Sequence, residues 1–362
     1  MLKNGYIMSG DKKVALIENG NVTPIEKDLM PVYLQKRNDI EGWLQGRAID
    51  KHRTNSRLLK KALRLTSSDD VETVLKVHGA TITDNYWYKE VDSKLCYEDV
   101  KFKENLFDQL ALCGDPDSFN QKADSTPELT NIGSYEKCWK LVDGQWWMYK
   151  QGNENERFSE LFISLLGKEL GFNMAHYELD DKYIKSLDYT KHASVNYEPM
   201  HSYVCEDEAY QKSFEILYEL NPEAAKDFVN MIYLDTICFN MDRHTKNYGV
   251  LRDVETGKVI GLAPNFDNNI ALISRGYPKN IERFDDILIG LFTTFVSNNE
   301  IAYKFYDEIK TEILCEELIY QLIEQTGFDV DKEHISTFIL TGAQRIVDII
   351  MDQYQNQDIE MQ

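Results

Sequence analysis

The sequence predicts an α+β protein of two lobes, a small β-rich lobe followed by a helical one, with an accessory region in front. Three observations predict it. Short alternating apolar runs separated by turn residues crowd residues 126–206, apolar stripes at helical spacing dominate 207–362, and an acid–amide–acid set sits within that second segment. Residues 1–125 make up the accessory region, and a chain of 362 residues is long enough to hold all three.

The accessory region opens with a short β unit, Lys13 to Ile17 and then Gly20 to Val22. A helical stretch follows in which Ile40, Trp43 and Leu44 share one face, while Arg47, Lys51, His52, Arg53 and Arg57 form a basic cluster expected to be a solvated face. Asp69 and Asp70 precede Val71 to Leu75 as a helix cap would. Gly79 to Tyr88 alternates like a strand and is aromatic enough to pack the accessory region onto the body of the protein. From Gly114 to Glu128 the accumulation of Asp, Ser, Gly and Pro predicts an exposed connection, and the first boundary is placed there.

The second segment begins with Thr130-Asn131-Ile132-Gly133-Ser134-Tyr135-Glu136-Lys137. Two strand-like runs, Cys138 to Val142 and Gln145 to Lys150, are joined by Asp143-Gly144, a strong hairpin signal. Phe158, Leu161, Phe162, Leu165 and Leu166 then recur at helical spacing, and Gly171 marks the stop. Glu160 falls nearly opposite that apolar stripe, where a solvated helix surface would also put it. Met174 to Leu179 and Tyr203 to Glu206 read as strands leading to the lobe connection.

In the third segment Asn221-Pro222 is an amide cap followed by proline where no backbone N–H is needed. Phe228, Met231, Ile232, Asp235 and Phe239 recur at helical spacing, so the helix should end near Phe239 and leave Asp242 to Asn247 in a loop at its C-terminal end. Tyr248 to Leu251 and Lys258 to Leu262 flank the turn-rich run from Asp253 to Gly257 and predict a hairpin. A helix, a loop, a hairpin and then Asp267 bring Asn247 and Asp267 to one place. The helices expected beyond, around Tyr303 to Ile313, Glu316 to Ile323 and Ile335 to Tyr354, carry core stripes.

Asp242, Asn247 five positions later and Asp267 behind them form a minimum set of hard oxygen groups for phosphoryl transfer. One Asp takes a hydroxyl proton, while the Asn oxygen and the second Asp hold Mg2+ against nucleotide phosphates. Asp, Asn and His after a helix are also ordinary loop formers; the joint spacing and the downstream hairpin favour the chemical reading.

The run Asn240-Met241-Asp242-Arg243-His244-Thr245-Lys246-Asn247, with the later Phe266-Asp267, resembles the HipA-like serine/threonine kinases, a bacterial branch of the protein-kinase-like fold. The aromatic run from Gly79 to Tyr88 is similar to one in the Gram-positive-type branch of that family. The resemblance implies a two-lobed protein-kinase-like fold that binds ATP and Mg2+ between its lobes. Asp242 would be the catalytic base, His244 would replace the lysine that steadies the moving phosphoryl group, and Asn247 and Asp267 would be the metal ligands. Gly133-Ser134-Tyr135-Glu136-Lys137 is similar to the family's Gly-x-Gln-Glu-Lys loop, with Tyr135 in place of Gln. Lys150 stands where the phosphate-pairing lysine would be, and Glu160 where its glutamate partner would be. Backbone near Val204 to Glu206 would hold adenine. The family's autophosphorylated serine corresponds to Thr130, with Ser134 the nearest alternative. Relatives phosphorylate aminoacyl-tRNA synthetases and are restrained by a helix-turn-helix antitoxin, which makes both candidate partners, although no residue identifies either.

Composition narrows the alternatives. A content of 43% apolar and 12% aromatic residues is that of a globular protein. The net charge of −21 repels nucleic acid and anionic lipid, so direct DNA or membrane binding is not expected. No apolar run is long enough to span a bilayer, and the residues from Met1 to Tyr6 lack a signal-peptide core, so a cytoplasmic protein is expected. Cys96, Cys113, Cys138, Cys205, Cys238 and Cys315 are scattered, which predicts buried free thiols without zinc or disulfides. A two-metal phosphatase would need clustered histidines beyond Asp242-Arg243-His244, and the only later one is His334. Two readings stay open beside the protein kinase: a small-molecule phosphotransferase of the aminoglycoside-kinase type, and a silent nucleotide-binding partner module.

Overall fold

Strands gather in the first part of the chain because that is where β-branched and aromatic runs alternate between turns. In the computed structural model, which describes residues 2–65 and 69–360, they form three sheets. Met1, residues 66–68 of the accessory region and the last two residues of the helical segment lie outside the described residues.

The first sheet contains β1 (Gly5–Ser9), β2 (Lys12–Glu18), β3 (Asn21–Pro24) and β4 (Tyr86–Glu90) in the order β3-β2-β1-β4. The second contains β5 (Lys137–Val142), β6 (Gln145–Lys150), β7 (Tyr177–Asp180) and β8 (Tyr183–Leu187) in the order β5-β6-β8-β7. The third has β9 (Val195–Pro199), β10 (Gly249–Asp253) and β11 (Val259–Leu262) in the order β11-β10-β9. The hairpin between β5 and β6 turns on Asp143 and Gly144 with φ of 50° and 78°, the pair of left-handed residues that a two-residue turn requires.

The chain divides into two compact units, one of residues 1–151, 178–205 and 249–260, the other of 152–177, 206–248 and 261–362. The first carries most of the strands and the second is helical, as expected of the fold class. In the first unit Arg252 ties the accessory region to β9, binding the carbonyl of Met30 at 2.9 Å and Tyr86 and Glu198 at 3.0 Å each. In the second, the Pro222–Ile237 helix is buried along most of its length and starts where Asn221 accepts the N–H of Glu223. Its C-terminal carbonyls, on Thr236 and Ile237, are taken by the buried Arg283 at 2.8 and 3.1 Å. Arg283 is anchored in turn by Asp286 at 2.6 Å. The helices Ile287–Ser297, Glu300–Asp307, Glu316–Thr326 and Lys332–Glu360 complete this unit. Among the described residues no helix is long and apolar enough to cross a membrane.

Several expectations are corrected. The basic cluster is not a solvated face as a whole: Arg47 and Arg53 are buried, Arg47 against Asp84 at 2.7 Å and Arg53 against Glu128 at 3.8 Å. Charge alone does not report burial when the paired acid lies far along the chain. For the same reason the Gly114–Glu128 connection is not exposed throughout, because Thr126 and Glu128 at its end are fully buried. Only Tyr86 to Tyr88 of the aromatic run is strand; Asp84 and Asn85 before it are committed to side-chain hydrogen bonds with Arg47, Asn196 and Ser9. Tyr203 to Glu206 is not a strand either. A short His201–Val204 helix ends at Cys205, whose φ of 62° breaks the extended path. All six cysteines are free, but Cys96, Cys113 and Cys315 are exposed.

Candidate active site

The loop after the Pro222–Ile237 helix is shaped by one side chain the sequence did not single out. Phe239 reverses the chain with a φ of 54°, Asn240 turns its amide onto Asp235 at 2.9 Å, and Asp235 holds Arg243. The Arg243 guanidinium donates to the Asn247 carbonyl at 2.9 Å and to the Phe266 carbonyl at 2.8 Å from one nitrogen. A second nitrogen reaches the side-chain oxygens of Asn265 at 2.8 Å and Asn268 at 2.7 Å. The loop carrying Asp242 and Asn247 and the segment carrying Asp267 are thus fastened to the same planar group. Burial works to lower the Arg243 pKa, but the charge and hydrogen bonds of Asp235, with Asp267 adding to the field, outweigh it and hold the pKa raised.

This fastening fixes the conformation of the residues the sequence named. Asp267 has a φ of 63°, sparsely populated by residues other than glycine, and the bonds from Arg243 to Phe266, Asn265 and Asn268 pin the backbone on either side. Its N–H donates to the Tyr177 hydroxyl at 3.2 Å. Asn247 gives its Nδ2 to the Asp242 carbonyl at 2.9 Å, so its Oδ1 is the end left to face a cation. His244 accepts the Lys246 N–H at Nδ1, 3.2 Å away, an arrangement that puts the ring proton on Nε2. Asp242 is exposed.

Two hard oxygens, the Asn247 Oδ1 and the Asp267 carboxylate, suit Mg2+, which takes one or two protein oxygens and completes its shell with phosphates and water. Among the described residues there is no group of three or more His, Cys, Asp or Glu side chains able to hold a metal by themselves.

The phosphate-loop candidates belong to the first unit. Gly133 has a φ of 111°, and a Cβ there would run into the ammonium of Lys137, which folds back over it. Lys137 and Lys150 are opposite one another in the register of β5 and β6, at the open end of the hairpin. Lys150 is buried, Ser134 is exposed, and Thr130 is buried with its hydroxyl donating to the Ala80 carbonyl at 2.7 Å. In the second unit Glu160 is fully buried, which overturns its reading as a solvated helix position. Glu206 is exposed in the turn after the His201–Val204 helix.

Sequence reasoning missed Arg243 as a hub, together with Asp235, Asn240, Asn265 and Asn268. One signal was present: Asp235 recurs on the same face as Phe228, Met231 and Ile232, and an acid on an apolar helix face calls for a buried cation.

No family model matches the sequence, and no curated protein matches it. Among solved structures, HipA of Shewanella oneidensis MR-1, from a toxin–antitoxin system and complexed with HipB and operator DNA, matches over 96% of this chain and 99% of its own, at 12% identity and a TM-score of 0.57. The chain has a HipA-like fold. The Helicobacter pylori proinflammatory kinase CtkA is also similar, over 61% of this chain and 95% of its own, at 19% identity and a TM-score of 0.49. At these identities the likeness concerns the fold, and the HipA-like fold leaves the chemistry to be argued from the side chains.

Proposed function

We propose that the protein is an ATP- and Mg2+-dependent serine/threonine protein kinase of the HipA-like family, Gram-positive-type branch, acting as a toxin that autophosphorylation silences. The observation carrying this reading is the Arg243 guanidinium, which gathers the backbone of Asn247 and Phe266 and with it the neighbouring acids. Asn247 Oδ1 and Asp267 would hold Mg2+, which when bound offsets phosphate charge and aligns the β and γ groups. Lys150, Lys137, Ser134 and the backbone around Gly133 bind the phosphates.

Asp242 receives the proton of a Ser or Thr hydroxyl as that oxygen bonds to the γ phosphorus. The bond from phosphorus to the bridging oxygen breaks, and ADP leaves with the electron pair. His244 donates from Nε2 to a non-bridging oxygen of the moving group. Catalysis on this reading comes from positioning and electrostatics.

Two residues are candidates for autophosphorylation. Ser134 is exposed, whereas modifying Thr130 requires its hydroxyl to leave the Ala80 carbonyl. A helix-turn-helix antitoxin and an aminoacyl-tRNA synthetase substrate are the partners proposed by analogy with the HipA fold.

Label transfer from γ-labelled ATP to protein tests the assignment. Transfer should need Mg2+, stop with EDTA, and fall by about 10²–10⁴-fold in Asp242→Asn. Wild-type rates in Asp242→Asn would refute it. Phosphoproteomics with wild type against Asp242→Ala identifies the substrate, and mass spectrometry of protein incubated with ATP locates any phosphate on Thr130 or Ser134.

A further inference from the structure

The Asn131–Lys137 loop leaves and returns to a single buried side chain. Arg53, which belongs to the accessory region, donates from one terminal nitrogen to the Asn131 carbonyl at 3.0 Å and from the other to the Lys137 carbonyl. Nothing of its side chain reaches solvent, nor does any of Glu128, 3.8 Å away. Glu128 is itself fixed: it accepts the Trp139 N–H at 2.7 Å, the Asn105 amide at 2.8 Å and the Asn131 amide at 2.9 Å. Two residues further on, the Asn55 N–H reaches the Glu136 carboxylate at 3.3 Å inside the same loop. One turn of the accessory region thus grips the loop at both ends, twice at its C-terminal one.

Between those grips the loop runs along the surface at Ile132 and Ser134. Ile132 is 52% exposed, Ser134 is exposed and Gly133 contributes no side chain. A loop so placed would wander if its ends were free, and a polyanion would then have to order it on binding. With the ends fixed, that cost is removed beforehand. The planar fork of arginine suits the task because it spans two carbonyls at once, which a lysine ammonium does not.

We infer that Arg53, held by Glu128, is a positioning residue for nucleotide binding: it closes the neck of the Asn131–Lys137 loop and makes MgATP affinity depend on the accessory region. This rests on the kinase reading. Arg53 touches neither nucleotide nor reacting atoms, so its loss should act on binding and leave the chemical step at Asp242 alone.

The test uses the full chain as wild type, Arg53→Lys and Arg53→Gln, with two readouts. Hydrogen exchange of the 131–137 amides is measured without nucleotide, and MgATP affinity by calorimetry, supplemented by KM and kcat where transfer is seen. In Arg53→Gln the loop amides should exchange at least about tenfold faster, and MgATP should bind about tenfold more weakly with kcat nearly unchanged. Arg53→Lys keeps the charge beside Glu128 but reaches one carbonyl, so it should fall between; it also serves if Arg53→Gln does not fold. Unchanged loop exchange in a folded variant overturns the clamp. Faster exchange with unchanged affinity overturns its link to nucleotide. Wild type that fails to bind MgATP at all refutes the kinase reading instead, and the exchange data still judge the clamp.

Discussion

Asp235 grips Arg243 through both carboxylate oxygens, at 2.8 and 3.0 Å, with each side chain only 2% exposed. The pair is a brace for the loop that carries Asp242. Taking one partner away strands a buried charge, so Asp235→Asn should lose about 3–5 kcal/mol of stability by chemical denaturation. Arg243→Lys keeps the charge but not the fork, and should fold while transferring phosphate about 10²-fold more slowly, the cost of a small misplacement. An Arg243→Lys protein with wild-type kcat would remove the brace from the mechanism.

The hydrogen bond from the Lys246 N–H to His244 Nδ1 makes the ring a donor through Nε2. ¹⁵N NMR of the histidine side chain at pH 8 should show the Nε2–H tautomer, and His244→Ala should lower kcat with little change in KM for ATP. A spectrum dominated by the Nδ1–H form would contradict this role.

Gly133 sits at a φ of 111° under the Lys137 ammonium, where any Cβ collides. Gly133→Ala should therefore shift the flexible end of Lys137 and strain the backbone at this φ, costing about 1–3 kcal/mol of stability and weakening ATP binding by about tenfold. Equal affinity in calorimetry would show that the loop tolerates the displacement.

Burial pushes the Glu128 carboxyl up to about 7, against the pull of Arg53 and its hydrogen bonds. The buried Cys138 thiol nearby is pushed up as well, by burial first and then by the charges of Glu128 and Asp108. Between about pH 4.5 and 7 the folded chain keeps a proton that the unfolded chain has released, so this group's contribution is present at low pH and lost as pH rises through 7. Its size is at most about 3 kcal/mol. Glu128→Gln does not titrate, so the stability difference between wild type and variant should shift against the wild type over that window. Parallel pH curves would place the Glu128 pKa near that of an ordinary carboxyl.

What the sequence determined by itself was local. The Asn221-Pro222 start, the Asp143-Gly144 turn and the capping Asp69 follow from backbone preferences of single residues, and each lies where its pattern put it. The loop position of Asp242 and Asn247 follows too, since it needs only the end of one helix. Tertiary structure decided what depends on partners distant in the chain. Arg53 and Glu128 are 75 positions apart, and so a buried ion pair read as a solvated basic cluster and an exposed connection. The burial of Glu160 was not legible either, because periodicity shows one apolar face, while its helix is buried on others. Arg243 lay in plain view within the motif, yet its six contacts exist only once Asp235, Asn247 and residues 265–268 converge. Burial and pairing are properties of the folded chain, because only folding brings a distant acid to a buried base and removes water from both.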